Sequence, residues 1–115
     1  MELEQQVQQI EIGMDDAREA VETADALKRL KNNKDFKLVF LDGFFSEEAI
    51  RLVELKAAPA ARREDIAKAI DKTIDAIGET QQYLNRIFQE GDMAKSALND
   101  GEAELNAISA EMGNG

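Results

Sequence analysis

The chain has 115 residues, enough for one domain, and carries a formal net charge of -10 with 33% charged and 43% hydrophobic residues. It contains no Cys and no His, so disulfides, thiolate zinc sites, the usual catalytic triads and nearly all transition-metal sites are excluded. Its acidity sets it against phosphate backbones and anionic membrane surfaces, and no apolar run approaches the ~18 residues of a bilayer span. The opening Met1-Glu2-Leu3-Glu4 does not read as a signal peptide, which needs a basic start.

Residues 1–31 carry the clearest periodicity. Leu3, Val7, Ile10, Met14, Ala17, Val21 and Ala24 alternate spacings of four and three, a heptad stripe along one long helix. Gly13 interrupts it at a cost of about 1 kcal/mol relative to Ala. The register shifts at Leu27 and Leu30. Lys28, Arg29 and Lys31 complement the dipole of the last turn, and Asn32-Asn33 is the expected stop.

Residues 34–58 differ in character, with Phe36, Phe40, Phe44 and Phe45 falling within ten positions. Asp42-Gly43 would suit a hairpin turn, but the arm after it is too short for a strand. The segment therefore reads as two short helices: about 35–41, stopped by Gly43, and one from Ser46 to about Ala57. Ser46 is the expected N-cap, and Phe45 is placed to pack on Ile50 as a hydrophobic staple. Pro59 marks the end of this helix and the first turn of the next.

Residues 59–112 hold the helical period through Ile66, Ile70, Ile74, Ile77, Leu84, Leu98 and Leu105 to Met112, with Gly91 and Gly101 as points where the helix could break. The expected fold is all-α: an elongated helical hairpin of two long helices with coiled-coil-like packing and a short, Phe-rich elbow of two helices, all in one domain over 1–115. Seams rich in Ala, Ile and Leu leave apolar stripes partly covered. A homo-oligomer or a place in a larger assembly follows from that.

No arrangement of residues supports chemistry. The paired acids Asp15-Asp16, Glu47-Glu48 and Glu64-Asp65 lack the His of di-metal bundles, and Asn99-Asp100-Gly101-Glu102 is too short for a calcium loop. No catalytic residue, cofactor or metal ligand is assigned. The Phe cluster is the best candidate surface. It reads as the core of the elbow, with the alternative that Phe44 and Phe45 anchor a partner. The candidate partner-binding residues are Phe36, Phe40, Phe44 and Phe45, together with Leu3, Val7, Ile10 and Met14 of the first stripe and Leu98 and Leu105 of the last.

The run from Leu27 through Phe36, then Leu41-Asp42-Gly43-Phe44-Phe45, Glu47 to Lys56, Ile74 to Gly78 and Tyr83-Leu84 resembles small uncharacterised helical proteins of tailed bacteriophages, from the virion-structure and packaging region. The resemblance covers about residues 27–88 and brings no catalytic motif. It implies a non-enzymatic structural or assembly protein that binds head or head–tail components, in the virion or the cytoplasm of the infected cell. The alternative is a small acidic inhibitor of a host nucleic-acid-binding enzyme, which would gather carboxylates on one face. Read along the chain, the acids are spread over both long helices, which counts against that alternative.

Overall fold

The computed structural model describes residues 2–113. In chain order it comprises α1 (Glu2–Lys31), α2 (Lys34–Phe36), a π-helical segment (Lys37–Glu47), α3 (Glu48–Ala57), a 3-10 turn (Pro59–Arg62) and α4 (Glu64–Gly113). The fold is all-α, a helical hairpin in which α1 and α4 pair, and no strand occurs among the described residues.

Each boundary has a local cause. α1 carries Glu2 and Glu4 in its first turn and Lys28, Arg29 and Lys31 in its last, each sign at the end of the helix dipole that favours it. After Lys31, Asn33 lies in extended backbone, and its side-chain oxygen accepts the backbone N–H groups of Asp35 and Phe36 at 3.0 Å each. One asparagine thus follows the first helix and caps the next. Ala58 is extended (φ -72°, ψ 150°), as the steric demand of Pro59 requires. Arg63 is extended as well, so the last long helix starts at Glu64 rather than at Pro59.

Between Asn33 and Ala58 the backbone departs from the sequence-based expectation. Gly43 does not stop a helix. It lies inside the π-helical segment, where its carbonyl accepts the N–H of Glu48, five residues on. Ser46 is therefore interior and caps nothing, and α3 begins without a side-chain cap. With Ser46 interior there is no helix N-terminus at that point for Phe45 and Ile50 to staple; Phe45 packs on a buried cluster, and Ile50 is 57% exposed. The wider turn carries both Phe44 and Phe45 onto that cluster. Burying two adjacent rings outweighs the roughly 1 kcal/mol that glycine costs within a helix.

α4 runs unbroken for 50 residues, about 75 Å, through Gly78, Gly91 and Gly101. An added methyl at Gly78 would meet nothing within 4 Å. Gly78→Ala is therefore expected to stabilise the protein by up to about 1 kcal/mol through helix propensity and a less flexible unfolded chain, read as a higher urea midpoint at unchanged m-value.

Contacts divide the chain into two compact units: a hairpin unit of residues 1–26 and 87–115, and a central unit of residues 27–86. In the hairpin unit, Gly91 faces Ala20 and Ala24 while Gly101 faces Ile10 and Met14, so α1 and α4 run antiparallel. Met14, Ala17, Ala24, Gly91, Ala94 and Gly101 are buried along this seam. Small residues there allow close backbone approach. The central unit is built on Leu52, Ala61, Ile70 and Ile77, with Phe44, Phe45, Ala49, Ile66 and Ile74 packed against them. An ion pair between Lys56 and Asp71 (2.7 Å) links α3 to α4 at the surface.

Candidate interaction surface

The four clustered phenylalanines form one run of ring contacts. Phe36 stacks on Phe40 at 5.1 Å between centroids, Phe40 meets Phe44 edge to face at 6.1 Å, and Phe44 meets Phe45 at 5.3 Å. The run passes from surface to interior: Phe40 is 43% exposed, Phe36 is half-buried, and Phe44 and Phe45 pack on the central core. The cluster thus contributes both to the core and to the surface. Of the other candidates, Leu3 is exposed, Val7, Ile10, Leu98 and Leu105 are half-buried, and Met14 is interior. Ile10 and Met14 both face Gly101 across the seam of the hairpin unit, whereas the phenylalanines belong to the central unit.

Beside Phe40 lies an open groove of about 520 Å³, lined by Val39, Phe40, Gly43, Phe44, Glu47, Glu48 and Arg51. Gly43 lines the hollow, and a methyl there would crowd the Leu38 carbonyl oxygen at 3.1 Å; the spacing Val39, Gly43, Glu47, Arg51 keeps the lining in line where the turn is wider than in an α-helix. That spacing of four was the available sequence signal for Val39, Glu47 and Arg51, which composition and heptad reading passed over. Leu38, Val39, Ile50 and Val53 on the same continuous helical stretch each expose 57–67% of their surface. Val39 and Phe40 open onto the groove, whereas Ile50 and Val53 line a separate hollow with Ala49 and Glu54; neighbouring apolar side chains of this kind mark interaction sites more often than do single exposed ones.

One end of the groove is fixed by a bidentate pair, in which Arg51 donates through Nε to Glu48 at 2.9 Å and through an Nη to its other oxygen at 2.6 Å. The hydrogen bonds from Arg51 hold the Glu48 carboxyl below its ordinary range, and the same bonds raise the Arg51 guanidinium. A depressed carboxylate stabilises the fold above its unfolded pKa, and that contribution is lost as pH falls through the lowered folded value. The melting temperature of Glu48→Gln is therefore expected to lie slightly below that of the native chain at neutral pH, with the two converging in acid.

Charge is divided unevenly between the units. The hairpin unit holds fourteen carboxylates against two cations, Arg18 and Lys95, for a formal net charge of -12. The central unit holds twelve cations against ten carboxylates, net +2. Antiparallel pairing therefore gathers acids that look dispersed along the sequence into one unit. Among the described residues no helix is long and apolar enough to cross a membrane.

The architecture defines the chain as an all-α protein with a paired-helix unit and an aromatic-rich helical unit. Compared with protein-family models, curated proteins and solved structures, it matches none of them.

Proposed function

We propose that this chain is a non-enzymatic structural or assembly protein of a tailed bacteriophage, binding head or head–tail proteins through exposed helical surfaces. The observation that carries the binding part is the Gly43 groove with the exposed Val39 and Phe40 in its wall, together with a second hollow on the same helical stretch lined by the exposed Ile50 and Val53. Partner helices enter such grooves by inserting apolar side chains. What supports the phage origin is the resemblance over residues 27–88, and with that origin goes a location in the virion or in the cytoplasm of the infected cell. Self-association in this role would run through the central unit, whose net charge is +2, and not through the acidic hairpin unit.

The test uses tagged chain in infected cells, with mature particles and precursor heads analysed by mass spectrometry. Val39→Asp and Val53→Asp serve as surface variants, since neither side chain belongs to the central core. The native chain is expected to recover a head or head–tail protein that both variants lose. Absence from mature and precursor particles alike, with identical recovery by the variants, overturns the reading.

The division of charge favours a second reading, inhibition of a host nucleic-acid-binding enzyme by the hairpin unit, whose net charge of -12 would compete for a basic groove. It predicts co-purification with such an enzyme at low salt and release as salt rises.

A further inference from the structure

The hairpin unit has an open side of its own. Its seam buries Met14, Ala17 and Ala24 against α4, yet Ile10, Leu105 and Ile108 remain half-exposed. Along that side run two adjoining hollows of about 460 and 290 Å³, which share Gln9, Ile10 and Glu104. The α4 wall spans residues 97–108, about 16 Å at 1.5 Å per residue, or three turns of a docked helix. Gly13 lies in the lining, and a methyl added there would meet nothing within 4 Å. The space above it is open.

Charge selects the occupant. Asp100 and Glu104 line the groove, within a unit whose net charge is -12. Of its two cations, Arg18 is already paired with Asp15 at 2.6 Å. A second copy of this hairpin would set -12 against -12, and nucleic acid would be repelled in the same way. A helix bearing an apolar stripe flanked by Lys or Arg fits on both counts. Its apolar side chains would fill the hollows over Ile10 and Gly13, and its cations would meet Asp100 and Glu104.

We propose that the α1–α4 groove of the hairpin unit docks a basic amphipathic helix from another protein. This goes beyond the function proposed above, because it names a different surface and a partner of defined chemistry. The occupant is a protein helix, and the charge that attracts it is the charge that keeps copies of this hairpin from meeting groove to groove.

The probe is a fluorescent 18-residue Leu/Lys peptide designed as an amphipathic helix, with a scrambled peptide of equal composition that has no apolar face. Fluorescence anisotropy is expected to show at least tenfold tighter binding of the amphipathic peptide, weakening as salt rises. Gly13→Leu fills the hollow, and its fold is verified by circular dichroism. This variant is expected to lose at least tenfold in affinity, as is the double variant Asp100→Lys with Glu104→Lys. Val39→Asp, in the central unit, is expected to bind as the native chain does, which separates this groove from the surface proposed above. Equal binding of the two peptides would reduce the effect to bulk charge and overturn the proposal. Unchanged binding by folded Gly13→Leu, or its loss in Val39→Asp, would place the site elsewhere and overturn it equally.

Discussion

Leu52→Ala is expected to lower the unfolding free energy by about 3 kcal/mol, near the middle of the range for leucine truncation in a core that relaxes only partly. Leu52 is 4% exposed and packs with Ala61, Ile70 and Ile77, while Phe44 and Phe45 close the cluster from the π-helical segment. Two of these neighbours are β-branched and one is alanine, so few side chains can rotate to fill the space left by the isobutyl group. Urea unfolding followed by circular dichroism measures the loss. Val53→Ala, one residue on but 60% exposed, provides the contrast and is expected to change stability by no more than about 0.5 kcal/mol. Comparable losses for both would mean that Leu52 is not the centre of the central unit.

Gly91→Ala sets two effects of opposite sign against each other. Alanine gains about 1 kcal/mol in helix propensity at an interior position. Its methyl, however, would overlap the methyl of Ala24 and come within 3.6 Å of the Ala20 carbonyl oxygen. Neither neighbour can move by rotating a side chain, so the two backbones must separate along the seam. Overpacking of this kind costs about 1–3 kcal/mol, and here the steric effect wins. A net destabilisation of about 1–2 kcal/mol follows. Gly101→Ala meets the Met14 Cγ at 2.8 Å and Sδ at 2.9 Å, atoms of a flexible side chain that can swing aside, so its cost is much smaller. Combining Gly91→Ala with Ala24→Gly removes the overlap. The double-mutant cycle is then expected to show a favourable coupling of at least about 1 kcal/mol. Additive effects in that cycle would mean that the helices do not meet at these two residues.

The periodic parts of this fold could be read from the chain, and the parts that depend on pairing could not. The stripe from Val7 to Ala24 faces inward as its heptad spacing indicates, with Met14, Ala17 and Ala24 buried. Leu27, where the register shifts, is buried too, and Leu30 is left 45% exposed. Met112 keeps the seven-residue spacing of α4 yet is 59% exposed, because spacing specifies a stripe and not the length over which a partner covers it. The glycines were harder to read. Gly91 and Gly101 look like breaks by propensity, yet α4 runs on through both, and an added methyl at either would crowd α1. What decides between these readings is the residue opposite, which lies 67 positions away for Ala24 and Gly91. Gly43 stays helical because the rings of Phe44 and Phe45 find a core that only the folded central unit supplies. The acidity of the hairpin unit likewise emerges only when residues 2–26 are set beside 87–113.

The same pairing orders events during synthesis. The central unit is a continuous stretch, residues 27–86, and can form its core once that stretch has left the ribosome. The stripe from Val7 to Ala24 is made first but has nothing to pack on until residues 87–108 follow, and its dense negative charge keeps nascent copies apart meanwhile. Ala24 meets Gly91 before Met14 can meet Gly101, so the seam closes like a zip toward the N-terminus, each contact shortening the loop that the next must close.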